Sequence, residues 1–287
     1  MKEKIFKNLA ENAFSQNRIM LYFPYEVNIM NEKVYNETIE LLLSHSSVRK
    51  FLDKDVSEDV VDTIISCGQM APTSSYLQAY TIIRVNDEEK KKALAEYAGG
   101  QEWVVKAPLV LLFCADLHRL DVLASPKDEN VLHNTELFTV SVIDAALAAG
   151  KALSAAQALG LGGVTVGGVR NETEKMARLF NLPELVFPMF LLCLGYPAET
   201  PAQRPRLPKE IICGQNEYPS LASDKLAVAI SDYEEEVRQY FLKATNGKSD
   251  RNWSTRCQYA IEKKPRYELT DFLSKAGFMT APTDTSK

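Results

Sequence analysis

The segment Ser44-His45-Ser46-Ser47-Val48-Arg49 gathers hydroxyls, an imidazole and a permanently charged guanidinium within one short turn. A doubly ionised phosphate takes several convergent donors, and this set suits one. Short Ser/Arg runs also cap helices and face solvent, so the reading depends on partners elsewhere. Thr73-Ser74-Ser75-Tyr76-Leu77-Gln78 supplies hydroxyls, a ring and an amide between a helix and a strand, or is a plain polar turn. Gly99-Gly100-Gln101 follows a helix; its glycines suit a C-cap, and Gln101 offers an amide to a heterocycle. Thr165-Val166-Gly167-Gly168-Val169-Arg170 ends a strand on two glycines, which lets backbone approach a flat ring closely. Arg204-Pro205-Arg206-Leu207-Pro208 holds two guanidiniums in a segment stiffened by prolines.

The elements that must position these groups are read from periodicity. A helix over about 35–44 places Ile39, Leu42 and Leu43 on one face, and a second, capped by Ser57, turns Val60, Val61, Ile64 and Ile65 inward. A strand over 80–85, a charged helix over 87–97 and a buried strand over 108–115 follow. The longest periodic run, about 133–159, predicts a helix on the order of 40 Å long at 1.5 Å per residue. Its alanine-rich centre either receives another helix or subunit at close range or reflects helix propensity alone. Strands over 163–166 and 187–195 and helices over 224–242 and 256–275 complete an alternation that gives an α/β or α+β layered fold. Neither GxGxxG after a first strand nor GxxxxGK[ST] occurs, so a Rossmann site and a P-loop are unsupported.

The 287 residues, 46% hydrophobic, suffice for one full core. A net charge of -5 argues against general nucleic-acid binding, so any basic site is local. The five cysteines are scattered without CxxC spacing, as expected of thiols in a reducing compartment, and the three histidines form no metal-binding set. No uninterrupted apolar run reaches the eighteen or so residues of a membrane span, and the amphipathic N-terminal region does not read as a secretory signal; a cytoplasmic protein is expected.

In order and interval, the five clusters resemble the nitroreductase and flavin-reductase family over residues 34–277, and within it the NADPH-dependent, oxygen-insensitive nitroreductase branch. The family's HRSxR motif appears as His45-Ser46-Ser47-Val48-Arg49, with Ser46 replacing an arginine. Its hydroxyl loop matches Thr73–Gln78, its GGQ matches Gly99–Gln101, and its glycine turn with Arg-Asn matches Gly167–Asn171. Its K-P-R-L-P segment reads Arg204–Pro208, a Lys to Arg change that keeps the charge and alters the fork. Residues 1–33 have no counterpart and are expected to be an extension, 34–277 the domain, and 278–287 a tail.

The resemblance implies an α+β nitroreductase-like fold: a central, mostly antiparallel sheet flanked by helices, a long central helix and an intertwined homodimer. It implies FMN, bound non-covalently at two subunit-interface sites. His45, Ser46, Ser47, Val48, Arg49, Arg204 and Arg206 would surround the phosphate and lower ring edge. Thr73 and Gln101 would hydrogen-bond the cofactor, and Thr165, Val166, Gly167 and Gly168 would present backbone to the ring. No side chain is assigned as a catalytic nucleophile, because the flavin carries the chemistry. NADPH would deliver hydride in a ping-pong cycle that reduces nitroaromatics, quinones or free flavin. Its 2'-phosphate would meet Arg170, Lys248, Arg251 or Arg256. Alternatives at this point are an NADH-dependent flavin reductase, a non-enzymatic flavin-binding redox sensor or store, and a binder of another phosphorylated ligand.

Overall fold

The computed structural model describes residues 28–30, 33–128, 130–220, 224–263 and 265–281. Most of the expected N-terminal extension and the end of the expected tail lie outside them. The chain divides into two units, residues 1–43 and 44–287. In the first, strands β1 (Asn28–Met30) and β2 (Lys33–Tyr35) pair antiparallel, and helix α1 (Glu37–Leu43) follows. Asn36 starts α1: its side-chain oxygen accepts from the Ile39 N–H at 2.8 Å.

The second unit is three layers deep. Its sheet contains β3 (Tyr80–Arg84), β4 (Leu109–Asp116), β5 (Gly162–Val166) and β6 (Val186–Gly195), ordered β3-β4-β6-β5 with every pairing antiparallel. Leu109, Leu111 and Phe113 of β4 face helices α2 (Glu58–Gln69) and α6 (Thr135–Ala158). Val110, Leu112 and Cys114 face α3 (Glu88–Tyr97), α4 (Glu102–Lys106) and α7 (Thr173–Leu179), where Leu94, Val104 and Met176 are buried. Both faces are covered, which is why β4 and β6 are continuous apolar runs rather than alternating ones. Each buried leucine stabilises such a core by roughly 1.5–3 kcal/mol.

The β4–β6 register shifts between Phe113 and Cys114: Phe113 pairs with Phe190 and Cys114 with Pro188, leaving Met189 as the extra residue of a bulge. Pro188 is tolerated there because a bulge relaxes the demand for a donor at every position. Ahead of the bulge Phe187 shares a core cluster with Ala145 of α6; beyond it Leu192 and Leu194 take the α6-facing role.

Helix α6 is, by length and composition alone, apolar enough to cross a membrane, which a search for uninterrupted apolar runs does not register. It is the central core helix. Its alanines answer the packing question: a Cβ on Gly68 of α2 would stand 3.2 Å from the Ala148 carbonyl oxygen and 3.4 Å from the Ala152 Cβ, so another helix does approach closely. Asn134 caps α6 by accepting from Leu137 N at 2.8 Å. Ser57, expected to cap α2, has the extended backbone of an N-cap but no side-chain capping bond.

Short helices α4, α5 (His118–Ala124), α7 and α8 (Lys209–Ile212) add to the expected set. The expected final helix is two, α10 (Trp253–Lys263) and α11 (Glu268–Lys275), preceded by α9 (Asp224–Ala244). Pro265 lies in the break, where its ring and missing donor oppose a continuous helix. Phe278, at the start of the expected tail, is buried with Leu185 and Phe272.

Candidate functional site

The Ser44–Arg49 turn is seated along β5. Val48 N donates to the Gly163 carbonyl at 3.0 Å, Ser47 bridges Gly163 in parallel fashion, and Leu52 N donates to Tyr196 O at 2.8 Å. Val48 covers Gly162 so closely that a Cβ there would lie 2.5 Å from Val48 Cγ2. Val48 therefore anchors the turn: its N–H is committed to Gly163 and its side chain is buried. His45 is tethered to α6, its Nδ1 lying 3.1 Å from Gln157 Nε2. With the amide donating, the imidazole carries its proton on Nε2, and that donor stays available. Ser46 and Ser47 are half-buried on the same turn.

Arg49 lies over the indole of Trp103, 5.6 Å from the ring centroid, and donates to the Ser47 carbonyl at 3.3 Å. Both residues line a cavity of about 630 Å³ with Lys50, Phe51, Lys106 and Glu199. Lys50 pairs with Glu199 and Lys106 with Glu102, whereas Arg49 has no carboxylate partner among the described residues. Among the same residues the Trp103 Nε1–H is buried without a hydrogen-bond partner. A cation without its anion beside an unmatched donor is the donor set of an anion site.

The GGQ and glycine-turn clusters form one structure. Gly99 and Gly100 end α3 at φ of 90° and 76°, the left-handed conformation that favours glycine. Gln101 Nε2 then donates to Ala98 O at 2.7 Å, so that side chain is partly committed to the turn and retains its carbonyl oxygen as an acceptor. Gly168 faces the same turn, leaving no room for a Cβ. Thr165 is exposed and Val166 buried, as strand alternation requires, and Gly167 lies against the Arg170 guanidinium. Arg170 is turned inward and donates to Met189 O, the carbonyl of the bulge residue. That orientation is a correction to Arg170 as a solvent-facing phosphate ligand. Beside it, Arg266 Nε and Nη2 both donate to Asn171 Oδ1 at 3.0 Å.

The hydroxyl loop is held separately. Thr73 Oγ1 bonds to Asp144 Oδ2 at 2.5 Å on α6, whereas His45 meets Gln157 of that helix. Thirteen residues separate these two anchors, roughly 20 Å of helix, so the hydroxyl loop and the Ser44–Arg49 turn are tied to different parts of α6.

Arg204 and Arg206 line a largely apolar cavity of about 430 Å³ with Tyr233, Phe241, Trp253 and Arg256. Beside it, sharing Arg256 and Ala260 of α10, a basic cleft of about 340 Å³ is lined by Arg251, Arg256, Tyr259, Ala260, Lys263 and Arg266. Arg251 and Arg256 thus meet as the candidate dinucleotide residues, joined by Lys263 and Arg266; Lys248 is exposed and lines neither cavity. Lys263 and Arg266 stand outside the motif clusters, and the basic Lys263–Arg266 stretch is the sequence signal that points to this surface. Asp144 has a signal too, a carboxylate on the inward face of an apolar helix, while Trp103 and Gln157 acquire meaning only through their partners.

Among the described residues, Arg84, Arg119, Arg178 and Arg238 pair with carboxylates; Arg49, Arg170, Arg204, Arg206, Arg251, Arg256 and Arg266 do not. The unpaired arginines are neighbours. Burial lowers the pKa of Arg49, Arg256 and Arg170, and adjacent guanidiniums lower it further: Arg204 for Arg49, Arg204 and Arg251 for Arg256, and Arg266 for Arg170. Glu199 acts in the opposite sense on Arg49, and the remaining like charges form a string suited to a polyanion.

Comparison with known proteins agrees with this architecture. The model described as Nitroreductase family matches residues 42–196, and that described as Nitroreductase family, C-terminal domain, matches 204–281. The FMN reductase (NADPH) of Bacillus subtilis strain 168 is 41% identical over 246 residues, spanning 85% of this chain and 98% of that protein. The oxygen-insensitive NADPH nitroreductase of Salmonella typhimurium strain LT2 is 37% identical over 245 residues, with the same coverage of each chain. The structure of NfrA1 nitroreductase from B. subtilis superimposes with a TM-score of 0.81 at 39% identity, covering 85% of this chain and 99% of that one.

Proposed function

The chain belongs to the nitroreductase family, and we propose that it is an FMN-dependent oxidoreductase that uses NADPH to reduce nitroaromatics, quinones or free flavin by ping-pong hydride transfer. The observation that carries this reading is the set of arginines without ion-pair partners among the described residues, Arg49 at the cavity beside Trp103 and Arg204, Arg251 and Arg256 at the two cavities beside α10. Relatives named FMN reductase (NADPH) and oxygen-insensitive NADPH nitroreductase support NADPH as the reductant and flavin and nitro compounds as acceptors.

The residues present fit FMN. Arg49 forms no ion pair and the buried Trp103 N–H has no acceptor among the described residues, while Gly167 and Gly168 carry no side chain of their own. His45, Ser46, Ser47, Arg49, Arg204 and Arg206 would hold the phosphate side. Thr165 to Gly168 and Gln101 would hold the ring side. Bound there, FMN supplies the redox chemistry, taking a hydride equivalent from NADPH and passing reducing equivalents to an electron-poor acceptor. The protein's own part is to bind, orient and balance charge. Arg49 and Arg204 neutralise phosphate, and the Arg251–Arg256–Lys263–Arg266 cleft receives the NADPH 2'-phosphate.

The working form is a homodimer. Ile143, Ala146, Leu147 and Gly150 make an exposed apolar stripe on α6, opposite the face that packs on the sheet. A second copy on that stripe would let the 73–78 loop of one protomer reach the site of the other, relieving the separation of roughly 20 Å along α6 that follows from the helical rise. The free cysteines suit the reducing cytoplasm.

The test is the absorption spectrum of the purified protein. Bleaching of the visible flavin bands by NADPH, with recovery on adding a nitroarene or a quinone, is the expected result. A flavin that neither NADPH nor NADH bleaches would overturn the reductase assignment.

A further inference from the structure

Asp144 is 1% exposed and lies at the middle of α6. It accepts from Thr73 Oγ1 at 2.5 Å, from Ala79 N at 3.0 Å and from Ser74 N at 3.3 Å. Among the described residues no lysine or arginine pairs with it. A buried carboxylate without a cation is costly, and here backbone N–H groups and one hydroxyl satisfy it. In return it holds a loop in which Ser75, Tyr76 and Gln78 all have positive φ, at 49°, 61° and 50°. Non-glycine residues keep that conformation only when their surroundings enforce it.

Asp144 also settles the polarity of Thr73. Both Asp144 oxygens already accept from backbone N–H groups, so the carboxyl presents lone pairs to the loop and the Thr73 hydroxyl hydrogen points at it. Gln78 N donates to the same Oγ1 at 2.8 Å, which occupies one lone pair. One lone pair remains on a side chain that is only half-buried. Toward anything outside the protein, Thr73 can accept a hydrogen bond and cannot donate one.

We propose that Asp144 is a positioning residue for the cofactor: by fixing Thr73 as an acceptor it makes the loop read a hydrogen-bond donor on the flavin. Flavin donors are the ring imide N–H and the ribityl hydroxyls; the ring carbonyls and unprotonated ring nitrogens are refused. This rests on the FMN reading above, in which Thr73 contacts the cofactor.

The experiment measures dissociation constants of the full-length apoprotein for FMN, for FMN methylated at the imide nitrogen and for FMN lacking a ribityl hydroxyl. The wild type is expected to bind one analogue about 10-fold more weakly than FMN, the scale of one hydrogen bond. Which analogue is weakened identifies the donor. Thr73→Ser should keep the discrimination. Thr73→Val should abolish it by removing the acceptor, and Asp144→Ala should weaken it, because the freed hydroxyl can also turn its hydrogen toward the flavin. A purely structural role for Asp144 would weaken binding of all three flavins equally and leave their ratios unchanged. If Asp144→Ala does not fold, Thr73→Val, which keeps the side-chain shape, decides the same question. Equal wild-type affinity for FMN and both analogues overturns the proposal while leaving the FMN assignment intact. A wild type that binds none of the three overturns the FMN assignment and this proposal with it.

Discussion

Gly168 and Gln101 are in contact through an absent atom: a Cβ on Gly168 would lie 2.7 Å from Gln101 Nε2 and 2.4 Å from the Ala98 carbonyl oxygen. The second distance is to backbone, which cannot swing aside. Gly168→Ala should therefore cost about 1–3 kcal/mol of stability, the usual scale of overpacking. Urea unfolding followed by far-UV circular dichroism measures it; an unchanged midpoint would mean that the two turns separate more easily than their contact implies.

Arg49→Ala should weaken FMN binding by about 1.5–3 kcal/mol, the worth of a charged hydrogen bond. Quenching of flavin fluorescence on titration with apoprotein reads this directly. An unchanged dissociation constant contradicts the phosphate role of Arg49.

Arg251→Ala removes one guanidinium from the basic cleft that Lys263 and Arg266 also line. The KM for NADPH should rise by about 10-fold, with little change in the KM for NADH, which lacks the 2'-phosphate. Equal changes for both coenzymes would assign the cleft to a part of the dinucleotide that they share.

Cys114 and Cys193 are both pushed up to about 12 by burial. Their folded pKa lies above the unfolded value, so each favours the native state fully below the ordinary thiol range near 9. Above that, the unfolded chain releases thiol protons that the native state retains, and this contribution is lost progressively as pH rises from about 9 toward 12. Cys114→Ala with Cys193→Ala should flatten the alkaline fall in stability between those limits. At about pH 8, just below the ordinary thiol range, iodoacetamide should label exposed Cys213 well before either buried thiol, as peptide mass mapping would record.

Leu147→Arg places a charge on the exposed apolar stripe of α6, where Ile143 is 50% exposed and Leu147 42%. Light scattering during size-exclusion chromatography should report a dimer for the wild type and a monomer for the variant. A variant that stays dimeric moves the interface elsewhere.

Much of the scaffold was legible because its signals are local. The buried strands announce themselves as apolar runs, and Gly99, Gly100 and Gly160 mark turns that require positive φ. Helices α4, α5 and α7 are hidden in the sequence because one or two turns are too short to display a period, and Pro265 divides a pattern that otherwise runs on from α10 to α11. The site was legible as a set of residue types and illegible as a set of directions. Val48 and Arg170 are where the motif positions fall, yet one turns into the core and the other toward a carbonyl. Asp144 and Thr73 are 71 positions apart, and only tertiary structure makes them one unit.

The bulge in β6 has an effect at a distance. In an unbroken antiparallel ladder every residue's main chain faces an opposite number; Met189 has none, and its carbonyl accepts from Arg170. Deleting that one residue would restore an unbroken ladder in which Leu191 and Leu192 keep their places opposite Leu112 and Leu111, and it would remove the carbonyl that the guanidinium holds. A single surplus amino acid in a buried inner strand thus acts as the datum from which the glycine turn, at the edge of the sheet, takes its orientation.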